Sequence, residues 1–215
     1  MNKQEVRSRI EEVGIIPAVR AFSPEDALFA AEAVSRGGIP IVEVPLTVPE
    51  AYKVISHLVQ NAPNVIVGAG SVLDVETARR CLDAGAQFLT SDGLDPETVK
   101  FAVKADAVVI PGTLTPTDVI AAWKLGSDLV KVVPCGQVGG DSYIRALKAM
   151  FPNVPLIAAG GVNQQTASNF ILAGAVALGI GEELIPREAI RLRQPDRIAE
   201  LARRFTGFVN NARGR

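Results

Sequence analysis

Lys131 lies in DLVKVVP (residues 128–134), a run of β-branched and apolar side chains that suits a buried strand closed by proline. A lysine buried alone in such a strand must reach solvent, find a carboxylate or lose its proton. The last route leaves a nucleophilic amine, able to add to a carbonyl and form a Schiff base. Glu43 holds the corresponding place in IPIVEVP (residues 39–45), where a carboxylate among β-branched neighbours is equally costly, and the two are expected to meet. Arg20 ends IIPAVR (residues 15–20), and Ser71 follows VIVGAG (residues 65–70). Two cations, a carboxylate and a hydroxyl describe a site that binds a small carboxylate and moves protons beside an amine. The competing reading is a structural Lys131–Glu43 ion pair, with Arg20 reaching solvent at a rim. Charged residues in three separate apolar runs favour the site.

Eight apolar runs alternate with helical runs along the chain: residues 15–20, 39–45, 65–70, 86–90, 107–112, 128–134, 155–160 and 176–180. The intervening helices open on capping residues at Ser23, Asp74, Asp95, Thr115 and Asn163, three of them followed by proline. Several close on glycine, at Gly37, Gly85, Gly126 and Gly174. Strict alternation of eight pairs predicts an α/β fold, a single (β/α)8 TIM barrel over residues 1–215, with an extra N-terminal helix (residues 2–13) over its amino end. The rival is an open doubly wound sheet, which calls for a glycine-rich loop after the first strand; the loop here, RAFSPED, has no glycine. In a barrel the carboxyl ends of the strands face one pocket, and alternation turns Leu129, Lys131 and Val133 inward and Val130 and Val132 outward. The loops after the seventh and eighth strands, Gly160-Gly161 and Gly179-Ile180-Gly181, precede helical runs, where barrels of this kind hold phosphate on backbone N–H groups. Tight turns alone would also use glycine there.

Composition narrows the partners. Lys and Arg total 22 against 23 Asp and Glu, so no basic excess exists to hold nucleic acid or an anionic membrane, and the expected ligand is a small molecule. Cys81 and Cys135 lack metal-ligand spacing and His57 is the only histidine, so no metal is indicated. His57, Cys81 and Trp123 fall in helical runs and read as surface or packing residues, while Cys135 sits just past the Lys131 strand. No apolar signal core opens the chain, and a cytoplasmic location with free thiols is expected.

The residues also resemble a known family. PAVRA (17–21), VEVPLTVPEA (42–51), VGAGSVLD (67–74), GAQFLTSDGL (85–94), PGTLTPTD (111–118), VKVVPCGQVGG (130–140) and AAGGVN (158–163) are similar to the class I pyruvate aldolases that cleave 2-dehydro-3-deoxy-6-phosphogluconate (KDPG) and 4-hydroxy-2-oxoglutarate (KHG). The resemblance implies a homotrimeric (β/α)8 barrel without metal or organic cofactor, acting on a 2-keto acid. It implies Lys131 as the imine-forming lysine, Glu43 as general acid/base, and Arg20, Ser71 and Thr47 as the clamp on the pyruvate carboxylate. The distal phosphate end would be formed by Gly160, Gly161, Gly181 and Glu182. Three stretches depart from the family pattern: Ser91-Asp92-Gly93-Leu94 stands for SPGL, Ala158-Ala159-Gly160-Gly161 for PTGG, and Gly181-Glu182-Glu183 for GVGS or GVGG. A carboxylate beside a phosphate dianion is repelled by more than about 1 kcal/mol unless it swings away. The phosphorylated acid therefore stays first on the surviving glycines, with an unphosphorylated 2-keto-3-deoxy acid as the alternative. A catalytically silent barrel serving binding or assembly is the reading from another class.

Overall fold

The computed structural model describes residues 1–215, and each of the eight apolar runs contributes parallel strand. The strands are β1 (Ile15–Pro17), β2 (Ile41–Pro45), β3 (Ile66–Gly70), β4 (Phe88–Thr90), β5 (Val108–Ile110), β6 (Gly112–Thr113), β7 (Val130–Val132), β8 (Leu156–Ala159) and β9 (Ala177–Ile180). The fifth run supplies both β5 and β6 because Pro111, which has no N–H to donate, interrupts the ladder between them. Hydrogen bonding runs β2-β3-β4-β5 on one side and β6-β7-β8-β9-β1 on the other. The remaining seam is bridged at Ala18 and Glu43, where the Val19 N–H donates to the Glu43 carbonyl at 2.8 Å. The barrel expected from the sequence is therefore present, with one thin seam between β1 and β2. Its regular strands are shorter than the apolar runs, since only the segments that share a register remain laddered.

Helices α1 (Lys3–Val13), α2 (Pro24–Arg36), α3 (Ala51–Asn61), α4 (Val75–Asp83), α5 (Pro96–Lys104), α6 (Pro116–Lys124), α7 (Asp141–Met150), α8 (Ala167–Leu172), α9 (Arg187–Arg191) and α10 (Pro195–Ala212) complete the fold. Ser23, Asp74, Asp95 and Thr115 each accept a backbone N–H at the start of α2, α4, α5 and α6, as their positions predict. Asn163 behaves differently. Its side chain accepts from Gln165 and Thr166 and so closes a turn of its own, which delays α8 to Ala167. At the end of α2 the left-handed residue is Gly38, not Gly37. Helix α1 buries Val6 and Ile10 at the amino end of the barrel, and Lys3 pairs there with Asp128 at 3.2 Å. No helix is long and apolar enough to cross a membrane.

Inside the barrel, small residues on β3 make room for large neighbours. A Cβ on Gly68 would stand 2.2 Å from the Phe88 ring, which is fully buried, so this position tolerates no side chain. Gly68→Ala is expected to destabilise the fold by about 1–3 kcal/mol through overpacking. Gly207→Ala, in α10 with open space around it, is expected to stabilise by about 0.5–1 kcal/mol. Urea midpoints of the two variants moving in the same direction would contradict this account of the interior.

Candidate active site

Alternation along β1 carries Ile16, Ala18 and Arg20 to one face, and that face lines a cavity of about 270 Å³ at the carboxyl ends of the strands. Lys131 and Val133 reach the same cavity from β7 and its continuation, and Glu43 reaches it from β2. Gly160, Gly161, Gly181 and Glu182 complete its far wall. Seven of the nine residues singled out in the sequence thus share one enclosure. Lys131 and Glu43 are both buried, at 7% and 8% exposure, which is low enough that each needs a polar partner.

Those partners are not each other. The Lys131 Nζ donates to Asp92 Oδ1 at 3.2 Å, and Glu43 Oε2 accepts from Thr90 Oγ1 at 2.8 Å. The expected Lys131–Glu43 pair is replaced by two separate contacts because β4 supplies both Thr90, pointing inward, and Asp92, just past the strand end. Gly70 gives the Glu43 carboxyl its place: a Cβ there would lie 2.3 Å from Oε1. Ser71 adopts a left-handed backbone at φ 57, uncommon for a residue with a side chain, and its Oγ donates to Asp92 Oδ2 at 2.8 Å. Asp92 thus bridges the lysine and the serine. Burial works against its ionised form, but the Lys131 ammonium, the hydrogen bonds from Ser71 and Lys131, and the Arg20 guanidinium outweigh burial and hold the carboxyl below the usual range.

Thr47 is not brought to the others. The Val48 N–H closes a turn on the Pro45 carbonyl at 3.0 Å and the Val48 side chain is buried, which leaves Thr47 exposed outside the cavity. Asp92 stood out in the sequence only as a departure from a pattern, and Thr90 was not singled out at all. A threonine within an apolar run carries no signal of its own; its parity with Phe88 on a short strand was the available clue.

At the far wall Gly160 and Gly161 take φ 77 and 84, and Gly161 packs backbone to backbone against Gly136, where a Cβ would come within 2.7 Å of Gly136 Cα. The N–H groups of Gly161, Val162, Gly181, Glu182 and Glu183 donate to no acceptor in the protein, so they are available to an anion. Glu182 leans toward solvent, with Oε2 at 3.5 Å from the Arg187 Nε, and that guanidinium also covers the Phe22 ring at 5.4 Å. Cys135 is fully buried and bonds to the Gly160 carbonyl; burial pushes its thiol up to about 11, so it packs the loop and is no nucleophile at neutral pH. His57 is exposed on α3, and Cys81 is buried in α4 with its thiol pushed up to about 12.

Comparison with known proteins points to one family. The profile of the family described as KDPG and KHG aldolase matches residues 6–201. The chain is 31% identical over 79% of its length to 2-dehydro-3-deoxy-6-phosphogalactonate aldolase of Escherichia coli K12, covering 83% of that protein. It is 29% identical over 93% of its length to 2-dehydro-3-deoxy-phosphogluconate aldolase of Treponema pallidum, covering 95% of it. Among solved structures, KDPG aldolase from Legionella pneumophila, with pyruvate captured as a covalent carbinolamine intermediate, superposes with a TM-score of 0.85 at 29% identity, over 92% of this chain and 96% of that one.

The electrostatics of Asp92 give a direct test. Its carboxyl is expected to titrate below the ordinary aspartate range when followed by NMR, and in Lys131→Met, which removes the main charge holding it down, the midpoint is expected to rise. With the sign as found, the stability it contributes is present above the ordinary carboxylate range and lost as pH falls through the depressed midpoint; half exposure keeps that contribution small. An Asp92 midpoint that ignores Lys131→Met would contradict the pairing.

Proposed function

The chain belongs to the KDPG and KHG aldolase family and is a carbon–carbon lyase, and on that footing we propose that it works through a Schiff base on Lys131. The proposed reaction is the reversible cleavage of a 2-keto-3-deoxy-6-phospho sugar acid, or of 4-hydroxy-2-oxoglutarate, to pyruvate and an aldehyde. The observation that carries the proposal is the placing of a buried amine, a buried carboxylate and an arginine on the wall of one cavity at the carboxyl end of the barrel.

The neutral Lys131 amine adds to the C2 carbonyl of the substrate, and the carbinolamine takes up a proton from solvent and loses water to give a protonated imine; that proton returns to solvent on hydrolysis. The C3–C4 bond then breaks, its electron pair moving toward the imine nitrogen, while Glu43 accepts the proton of the C4 hydroxyl. An aldehyde leaves. The enamine takes a proton at C3, and water hydrolyses the imine to release pyruvate and restore the amine. Arg20 and Ser71 hold the substrate carboxylate, and the Thr90 hydroxyl keeps Glu43 aimed into the cavity.

For the distal end, the free N–H groups of Gly161, Val162, Gly181 and Glu182 support a phosphate or second carboxylate. Glu182 turning to Arg187 removes part of the repulsion it would exert. The second reading, an unphosphorylated 2-keto-3-deoxy acid, is favoured by the carboxylates of Glu182 and Glu183 on the same wall. Parallel steady-state assays separate them: the first reading expects kcat/KM at least about tenfold higher for the phosphorylated acid, about 1.4 kcal/mol of transition-state binding.

The chemical core is tested by borohydride reduction in the presence of pyruvate, followed by peptide mass analysis. Labelling is expected on Lys131 and to vanish in Lys131→Ala. Glu43→Gln is expected to keep labelling while cleavage falls about 10²- to 10⁴-fold. Unlabelled wild-type protein would support the silent-barrel reading, and full cleavage by Glu43→Gln would remove Glu43 from its role.

A further inference from the structure

We propose that Asp92 is a resident stand-in for the substrate carboxylate: it occupies Ser71 and ties up the Lys131 amine until a 2-keto acid displaces it. The inference rests on the imine chemistry proposed above and assigns this chain a residue that sets its affinity for the keto acid.

Four observations converge on this role. The two Asp92 oxygens are divided between the nucleophile and the carboxylate clamp, Oδ1 accepting from Lys131 Nζ at 3.2 Å and Oδ2 from Ser71 Oγ at 2.8 Å. A carboxylate bridging those donors occupies the place that a carboxylate next to C2 would need. The pair is also lopsided in burial, with the Lys131 side chain 9% exposed and that of Asp92 48% exposed. The acid can therefore rotate into solvent, whereas the amine has only the cavity to move in.

The loop that carries Asp92 is fixed, so the carboxylate returns to the same place. Ser91 Oγ donates to the Gly93 carbonyl at 2.6 Å and accepts from the Gly112 N–H at 3.2 Å. The loop sits so close on Gly112 that a Cβ there would meet the Asp92 carbonyl carbon at 2.5 Å. Charge supplies the fourth argument. Arg20 and Lys131 face Glu43, Asp92, Glu182 and Glu183 around the cavity, so an incoming anion meets more carboxylates than cations, and Asp92 swinging away removes the carboxylate that stands against the amine. An ammonium paired with a carboxylate has no lone pair for addition; a ligand that brings its own carboxylate to Ser71 and Arg20 lets Asp92 rotate out, and the ammonium gives its proton to water before the amine adds.

Asp92 touches the nucleophile without exchanging atoms with the substrate, so it acts as a positioning residue, and its signature is a shift in affinity at constant chemistry. Borohydride labelling of Lys131 is measured across pyruvate concentrations for wild type, Asp92→Asn and Asp92→Ala. The expected result is a fall of about five- to tenfold in the pyruvate concentration giving half-maximal labelling in both variants, with the plateau rate within about threefold of wild type. Half-saturation unchanged or raised in both variants would overturn the stand-in role. A plateau loss of about a hundredfold would overturn it too, since that is the mark of a proton-transferring group. Wild type labelled with unmoved variants sinks only the role of Asp92, whereas unlabelled wild type sinks the imine chemistry and the role of Asp92 with it.

Discussion

A primary amine set in the apolar lumen of a barrel must be satisfied by something, and most of the architecture around this cavity follows from how that is done. Burying an unpaired ammonium costs several kcal/mol even after relaxation. Lys131 meets that cost with a carboxylate that is itself half in solvent. Glu43, equally deep, is satisfied by a neutral hydroxyl instead, so the amine and the carboxyl are partnered separately. No buried side-chain nitrogen or oxygen lacks a hydrogen-bond partner, so the polar groups inside a 62-residue apolar cluster are accounted for without the two functional groups neutralising one another.

The strands supply this separation through register. Glu43 lies beside Gly68 in the ladder, and the missing side chains at Gly68 and Gly70 admit the Phe88 ring below and the Glu43 carboxyl above. Lys131 lies beside Gly112 and Ile157, on the other side of the Pro111 break. That break lets the Ser91-Asp92-Gly93 turn settle on Gly112, which carries Asp92 toward the lysine. The far wall is built on a different principle, backbone N–H groups in tight glycine turns that donate to no acceptor in the protein, with the side chains of Glu182 and Glu183 on the same wall.

Much of this was legible in the sequence because it depends on period and local chemistry. Two-residue alternation placed Arg20, Glu43 and Lys131 on one face, and the caps at Ser23, Asp74, Asp95 and Thr115 marked where helices begin. What escaped depends on contacts between distant segments. The choice of Asp92 over Glu43 as the partner of Lys131 is made by how β4 and β7 sit across the lumen, and no spacing along the chain encodes it. Thr47 lies outside the cavity for a local reason: the turn closed by Val48 spends its inward position on Val48, so the polar neighbour faces out. The short helix α9 and the late start of α8 follow from the turn at Asn163 and the extended loop after β9, neither of which carries a helical or strand period.

The proposed chemistry requires the Lys131 amine to be the group that bonds to the keto acid. Crystals soaked in pyruvate address it directly. Continuous density from Lys131 Nζ to C2, with the pyruvate carboxylate on Ser71 and Asp92 rotated out, is the predicted result. Pyruvate lying unbonded in the cavity beside an intact Lys131–Asp92 pair would contradict it.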